Sequence, residues 1–309
     1  MNELNYLKVV TLFFIVVFAA VGGFVFYANP YDLYEIEPTK YTRSKYKVAS
    51  FERVIKPVAV SRQRPKTVIL GTSRASVGLD PKTLAVLTRE RAYNFAITGS
   101  YIDEISAALR HAVRQAGSNA VVWGIDYFSF TRLRPDGVRK IAFIDDCSIF
   151  CVARTFAEMT VSLKALRDAV ETVVRNALGH SADHTVLGHY IGYDSKGVLP
   201  DKPAVHLQPP FETAYDIFDK MLGFGLSRGV KFHLFISPTY RSHLRHGEKY
   251  RRWADRVVKI AQKHNISIMR SDLDPFFTAD KRLYFDSGHF KTEVGNRVLR
   301  NLLLKKLSR

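Results

Sequence analysis

Apolar residues occur along this chain in two patterns. One is an uncharged run of 23 residues from Val9 to Tyr31, and the other is a series of short runs separated by amphipathic stretches. About 20 helical residues cross a hydrocarbon core of roughly 30 Å, so the long run predicts one transmembrane helix. A cleaved signal peptide and a buried core helix are the alternative interpretations of such a run.

The short apolar runs alternate with stretches of helical periodicity. The runs are KTVILG (66–71), RAYNFAI (91–97), NAVVWGID (119–126), VKFHLFIS (230–237) and NISIMRSD (265–272). Helices are predicted at about 81–89, 102–116, 247–264 and 292–307. Because the runs are apolar throughout, they are typical of strands buried on both faces. The pattern therefore predicts an α/β fold with a parallel sheet that has helices on both faces.

Two regions depart from this alternation. Between about 130 and 210, one long amphipathic helix is predicted within an insertion that is placed to shape a site; its apolar positions are Phe156, Met159, Leu163, Leu166, Val170, Val173 and Val174. Residues 32–65 are polar, contain three prolines and lack sustained periodicity. We therefore expect an anchor at 1–31, a tether at 32–65 and an α/β domain at 66–309.

The charge of the chain narrows the class of partner. Lys and Arg number 46 against 29 Asp and Glu, a formal charge of +17, which favours an anionic partner such as anionic lipid, an acidic polymer or nucleic acid. The chain has no G-x-G-x-x-G, P-loop or recognition-helix pattern, so nucleic-acid binding is not expected. Cations lie on both sides of the apolar run, and their count does not decide the orientation of the helix.

Candidate chemistry lies where strands end, because ligands of open parallel sheets bind at the carboxyl ends of the strands. Gly71, Thr72, Ser73 and Arg74 follow the first strand. A serine at a strand-to-helix turn exposes its hydroxyl close to free helical N–H groups, which suits a nucleophile and a developing oxyanion. The alternative is that Ser73 is an ordinary N-cap.

A second candidate group precedes the last predicted helix. Asp286 and His289 lie three residues apart in a turn that contains Gly288. Histidine is the usual general base for a serine, and a neighbouring aspartate can hold its tautomer. The alternative is that Asp286 caps the final helix and His289 lies on the surface. Thr98-Gly99-Ser100 and Gly124-Ile125-Asp126-Tyr127, after the second and third strands, are also compatible with ordinary turns.

The order of these pieces resembles the four blocks of the SGNH (GDSL-like) hydrolase superfamily: GTSRAS, a glycine after the second strand, G-x-D after the third, and DSGH before the last helix. NPYDLY, KTVILGTSRASVGLDP, YNFAITGSYIDE, VVWGIDYFSF and YFDSGHF are more closely similar to a group of membrane-anchored bacterial SGNH-like proteins, related to the alginate O-acetylation and lipoteichoic acid D-alanylation proteins. The resemblance covers about residues 30–130 and 230–309. It implies a three-layer, flavodoxin-like sheet.

The resemblance assigns a role to each candidate residue. Ser73 matches the nucleophile, His289 the base and Asp286 its orienting carboxylate. Backbone N–H groups of Ser73 and Gly99 would bind the oxyanion, together with a side chain from the third block.

This sequence departs from the superfamily at that third-block position, where Asp126 stands in place of the usual asparagine. An ionised aspartate cannot donate a hydrogen bond, and loss of one oxyanion donor costs about 10²- to 10³-fold in turnover. Arg74 could pair with Asp126 or with an anionic group of the substrate, and the sequence leaves both possibilities open.

The resemblance implies a membrane-anchored esterase or O-acyltransferase that acts on a cell-envelope or exopolysaccharide through a Ser-His-Asp triad, with no cofactor and no metal. It places the chain in the inner membrane with its soluble domain in the periplasm or exterior, where Cys147 and Cys151 could pair. Expected partners are the acylated glycan, membrane lipid around the N-terminal helix and a membrane-bound acyl-transfer protein. The alternative, which Asp126 supports, is a non-catalytic glycan-binding or scaffold protein of a polysaccharide assembly complex.

Two further clusters have competing interpretations. The first cluster consists of His180, Asp183, His184 and His189. It is compatible with a zinc site or with a glycine-flanked loop, and the loop is favoured because no glutamate follows the first histidine. The second cluster, which is either a solvated basic loop or a binding site for an anionic substrate, consists of Arg241, His243, Arg245 and His246.

Overall fold

The computed structural model describes residues 3–146, 148–180, 184–185, 187–191, 208–240, 247–286 and 288–304, except for the side chains of Ala49 and Cys151. The chain divides into two compact units. The helical unit comprises Met1–Phe51 and Asp146–Asp183, and the α/β unit comprises Glu52–Asp145 and His184–Arg309. The predicted insertion therefore contributes residues to both units.

One sheet of five parallel strands forms the centre of the α/β unit. Its order is β2-β1-β3-β4-β5, and the strands are β1 (Thr67–Leu70), β2 (Ala92–Asn94), β3 (Ala120–Ile125), β4 (Lys231–Ile236) and β5 (Ile268–Arg270). In register, Val68 of β1 lies between Tyr93 of β2 and Val121 of β3. All five predicted strands are confirmed.

Thirteen α-helices are present among the described residues. They are α1 (Glu3–Ala28), α2 (Glu52–Gln63), α3 (Ser73–Gly78), α4 (Pro81–Thr88), α5 (Ile102–Ala116), α6 (Pro135–Ile141), α7 (Phe143–Asp146), α8 (Ile149–Val161), α9 (Leu163–Ala177), α10 (Glu212–Ser227), α11 (Gly247–Lys263), α12 (Pro275–Thr278) and α13 (Thr292–Leu304). The four helices predicted from periodicity correspond to α4, α5, α11 and α13.

The sheet separates two hydrophobic cores. Val68 and Leu70 pack into a core with residues of α2, α5, α10 and α11. Ile69, the residue between them, packs into a second core with residues of α3, α4 and α13. Successive strand residues point to opposite faces, so both faces of the sheet carry helices, as the uniformly apolar strands predicted.

Helix α2 lies inside the segment 32–65 that was predicted as a tether. Its apolar residues Ile55, Ala59 and Val60 are buried, and α2 packs against α5 and α6. Lys56 and Pro57 interrupt this apolar spacing and hide the helical pattern. The α/β unit therefore begins at Glu52 rather than at Lys66.

In the helical unit, α1 has the length and composition of a helix that could cross a membrane. Only Val25 and Ala28, near its end, are buried, and the large apolar side chains from Leu4 to Phe18 are exposed. Because this helix lies close to the N-terminus, a membrane anchor and a signal sequence both fit it.

The single long helix predicted around residues 156–174 is two helices, α8 and α9, separated at Ser162. The Ser162 hydroxyl accepts the Ala165 N–H at 3.1 Å and caps α9. A serine in this position satisfies a free N–H at a helix start, and the apolar periodicity that continues across it gives no sign of the break.

Candidate active site

Ser73 is the first residue of α3, directly after the turn that follows β1. The N-cap of this helix is Thr72, whose hydroxyl accepts the Arg74 N–H at 3.4 Å, so the alternative that Ser73 is the cap is wrong. Gly71, with a φ of +143°, turns the chain: a methyl group there would lie 2.8 Å from Ala75 Cβ and 2.9 Å from the Gly124 carbonyl oxygen. Only glycine fits this approach, which places the serine at the carboxyl edge of the sheet.

The loop before α13 holds Asp286 and His289. One carboxylate oxygen, Asp286 Oδ1, accepts the backbone N–H groups of Gly288 at 2.7 Å and His289 at 2.8 Å. The loop is closed by an antiparallel bridge between Tyr284 and Phe290. Asp286 therefore orders its own turn and does not cap α13, which begins at Thr292.

These two elements meet in a continuous chain of hydrogen bonds. His289 Nε2 lies 2.8 Å from Ser73 Oγ, and His289 Nδ1 lies 2.8 Å from Asp286 Oδ2. An ionised carboxylate can only accept, so Nδ1 carries the proton and Nε2 is left to accept the serine O–H. The His289 and Asp286 side chains are 21% and 35% exposed, so the group is open to a ligand.

Asp126, at the end of β3, is buried and held by two donors. Its carboxylate accepts the Thr72 hydroxyl at 2.5 Å and Arg74 Nη1 at 3.3 Å. Arg74 Nη1 also donates to Thr239 Oγ1 at 3.0 Å. Of the two possibilities that the sequence left open, Arg74 pairs with Asp126, and its guanidinium, 26% exposed, compensates the charge of the carboxylate.

The backbone N–H groups of Ser73 and Gly99 are the candidate oxyanion donors. Gly99 has a φ of +62° in the turn after β2, the strand that pairs with β1. Among the described residues, neither the Ser73 N–H nor the Gly99 N–H has a hydrogen-bond acceptor. Both groups belong to turns at the same edge of the sheet, as an anion-binding pair requires.

A buried charged network that the sequence analysis missed holds the Gly99 turn. Glu52 Oε2 accepts the Thr98 N–H at 2.8 Å, and Lys56 Nζ donates to the Ala96 carbonyl at 2.5 Å. Lys56 also lies 3.4 Å from Ser76 Oγ of α3 and 3.2 Å from Glu52 Oε1. The network therefore connects the turn after β2 with the helix that carries Ser73.

Glu52 and Lys56 lie at ion-pair distance, and burial opposes the charge of both: burial lowers the pKa of Lys56 by more than the Glu52 carboxylate raises it. Burial alone would raise the pKa of the Glu52 carboxyl, but Lys56, His184 and the Thr98 N–H together lower it to about 2. The spacing of Glu52 and Lys56, four residues apart, was the available signal, yet such pairs are usually solvated.

The remaining predicted clusters are only partly described. His180 is exposed, His184 Nε2 lies 3.3 Å from Glu52 Oε1, and His189 Nε2 lies 2.9 Å from the Val77 carbonyl. Within the described ranges, no group of three or more His, Cys, Asp or Glu is arranged to hold a metal ion. The other members of these clusters lie outside the described residues: Asp183, Arg241, His243, Arg245 and His246, together with Cys147.

In comparisons with known proteins, no protein-family model and no curated protein matches this chain.

Proposed function

We propose that this protein is a membrane-anchored, SGNH-like acyl esterase or O-acyltransferase that acts on a cell-envelope or exopolysaccharide. The observation that carries the proposal is the hydrogen-bonded chain Asp286–His289–Ser73. Its members come from the start of α3 and from the loop before α13, which are far apart in sequence, and Ser73 lies at the carboxyl edge of a parallel sheet, where ligands bind. The order of the four sequence blocks supports the same assignment.

In the proposed reaction, Ser73 Oγ attacks the carbonyl carbon of an ester while His289 Nε2 takes the serine proton. The Asp286 carboxylate stabilises the imidazolium that forms. The tetrahedral intermediate collapses when His289 gives the proton to the leaving alkoxide, and the acyl group stays on Ser73 as an ester. His289 then removes a proton from the acceptor, either water or a sugar hydroxyl, which attacks the acyl-serine and restores the free hydroxyl.

The oxyanion of each intermediate would be bound by the N–H groups of Ser73 and Gly99. Asp126 cannot add a third donor while ionised, but Arg74 lies against it and compensates its charge. The carboxylate therefore opposes the oxyanion less than an isolated charge would. We therefore expect a catalytic rate lower than that of a site with three oxyanion donors, but not a loss of activity.

The setting of the site supports a polymeric, anionic substrate. A net charge of +17 favours association with acidic glycans and with anionic lipid. We propose that α1 is retained as a single-pass anchor in the inner membrane, with the α/β unit in the periplasm or exterior beside a membrane-bound acyl-transfer protein. Mass spectrometry of the membrane-extracted chain tests retention, because signal cleavage would remove α1.

A serine-directed fluorophosphonate probe tests the proposed chemistry without the natural substrate. The full-length, detergent-solubilised protein is labelled, digested and mapped by mass spectrometry. We expect label on Ser73, none in Ser73→Ala, and about 10²-fold slower labelling in His289→Ala. His264→Ala is a matched control, because His264 also contacts an aspartate, Asp219, at 2.6 Å, and its hydrogen bonds include no serine.

A second function, non-catalytic glycan binding within an assembly complex, is favoured by one observation, the acidic Asp126 at the usual donor position. Absence of label on folded wild-type protein would support this function and contradict the enzyme. In that case Ser73→Ala would also leave polysaccharide acylation in cells unchanged.

A further inference from the structure

Helix α9 of the helical unit is turned with its apolar side outward. Leu163 is 87% exposed and Leu178 is 69% exposed, and Val170 and Val174 between them are also exposed. These four positions repeat at helical spacing and form one stripe, which we call the outward stripe. The side chains buried behind it are small or polar: Ala165, Asp168, Ala169 and Thr172.

Specific hydrogen bonds fix this orientation. Asp168 Oδ2 accepts the Tyr31 hydroxyl at 2.8 Å and Lys164 Nζ at 3.0 Å. At the far end of α9, Asn176 exchanges two hydrogen bonds of 2.9 Å with the backbone of Ser44. Rotating the apolar side inward would break all of these bonds, so the outward stripe is a built feature of the unit.

The end of α8, two residues before the outward stripe begins, lies beside the apolar helix α1. A methyl group at Gly22 would lie 3.2 Å from Val161 Cγ1, so Val161 packs directly on the backbone of α1. If Ala28, the last residue of α1, is taken as the level of the headgroups, Gly22 lies six residues, or about 9 Å along the helix axis, below it. Side chains of interfacial elements enter the boundary between headgroups and acyl chains to about 5–10 Å.

The chemistry of the α8–α9 turn suits that depth. Residues 159–167 (MTVSLKALR) carry two cations and no acidic residue. The Ser162 cap satisfies a backbone N–H that would be costly to leave unpaired near lipid. Lys164 and Arg167 are exposed, and both contact the single buried carboxylate of Asp168, at 3.0 and 3.7 Å. Because one carboxylate neutralises only one of the two cations, positive charge remains at the surface for lipid phosphate groups.

We propose that the α8–α9 turn is a second membrane-contact element, which inserts Val161 and Leu163 into the bilayer surface while Lys164 and Arg167 bind lipid phosphates. The inference rests on the proposal that α1 is retained as the anchor. The bilayer is the occupant that the structure favours, because the apolar surface of the turn continues that of α1. Two contacts with lipid would fix how the chain rotates about its anchor.

Tryptophan scanning with brominated lipid tests this proposal. Full-length protein is reconstituted into vesicles of about three parts phosphatidylcholine to one part phosphatidylglycerol, with or without bromine on the upper acyl carbons. Leu163→Trp and Leu178→Trp are compared, and the wild-type signal from Trp123 and Trp253, both buried in the α/β unit, is subtracted. Phe14→Trp, an exposed position in α1, reports on the anchor itself.

We expect bromine to quench Leu163→Trp about two-fold and to leave Leu178→Trp almost unchanged, because only the start of the stripe lies at lipid depth. Quenching at both positions would extend the contact along α9 and also support it. Quenching of Phe14→Trp without quenching of Leu163→Trp would overturn the proposal, and a blue-shifted Leu163→Trp emission would then show that protein covers the turn. If Phe14→Trp is not quenched, the anchor proposal fails and this inference fails with it.

Discussion

The two units of this chain use amphipathic helices in opposite ways. In the α/β unit, α5 buries Ile105, Leu109 and Ala112 against the sheet. In the helical unit, α9 buries small and polar residues and presents the outward stripe instead. Hydrophobic periodicity therefore locates the apolar face of a helix, but it does not identify the medium that the face meets. That medium must be found from what the opposite face binds.

The largest expected effect tests whether the proposed ester hydrolysis depends on the α/β unit alone and not on the helical unit. If the proposed function holds, Ser73→Ala should lower the rate of p-nitrophenyl acetate hydrolysis by about 10⁴-fold or more, because the proposed nucleophile is lost. Its melting temperature should stay unchanged, since the half-buried side chain is shortened by one oxygen. Val174→Ala, in the outward stripe of α9, should keep full activity. A similar loss of activity in Val174→Ala would show that the division is wrong.

A matched pair of leucines compares the two apolar faces directly. Leu109→Ala should cost about 2–5 kcal/mol in the free energy of unfolding, because Leu109 is fully buried and its loss leaves a cavity. Leu163→Ala should change it by less than about 0.5 kcal/mol in detergent. Urea unfolding followed by circular dichroism measures both. Equal costs would mean that Leu163 packs against protein.

A substitution on the polar inner face of α9 should change the free energy of unfolding by less than Leu109→Ala does. Its sign should be opposite to what burial of an apolar side chain alone would predict. Asp168→Leu places an apolar residue at a buried position, yet it should destabilise the helical unit by about 1–3 kcal/mol, because the buried Tyr31 hydroxyl loses its acceptor. Val170→Leu, at an exposed position on the opposite side of α9, is the control and should be nearly neutral. Thermal melting of both variants decides, and a stabilised Asp168→Leu would contradict the inverted orientation.

The smallest predicted effect is a pH dependence confined to the α/β unit. Burial lowers the pKa of His189, more than its contacts with Val77 and Asp80 raise it. Below about pH 6.5, His189 takes up a proton in the unfolded chain but stays neutral in the folded chain. Its contribution to the free energy of unfolding is therefore complete above that pH. As the pH falls further, this contribution decreases by at most about 1.4 kcal/mol per pH unit. Urea unfolding followed by tryptophan fluorescence at several pH values should give a shallower dependence for His189→Gln. Parallel curves for the two proteins would rule out this role.

The sequence was sufficient for the parts of the fold whose surroundings are conventional. The strands are apolar because both faces of the sheet are covered, and the rule that ligands bind at strand ends brought Ser73, Asp286 and His289 to attention before their distances were known. Thr239, two residues beyond Ser237 at the end of β4, could have been found by the same rule.

Other features could not be predicted, for physical reasons. Glu52 and Lys56 have the spacing of a surface ion pair, and their burial depends on a turn 46 residues later in the chain that supplies the Thr98 N–H. The break at Ser162 leaves the apolar periodicity intact, and the orientation of α9 depends on Tyr31 and Ser44. In each case the deciding partner is distant in sequence, where local patterns carry no information.

The hydrogen bond between Ser73 and His289 joins residues 216 positions apart. At a synthesis rate of about 5–20 residues per second, roughly 10–40 s pass between the appearance of the serine and that of the histidine. During that interval the nascent chain has a hydroxyl without a base. The Ser73–His289 pair can therefore form only after the loop that holds His289 has been synthesised and has docked, and the proposed acyl chemistry cannot begin before that point.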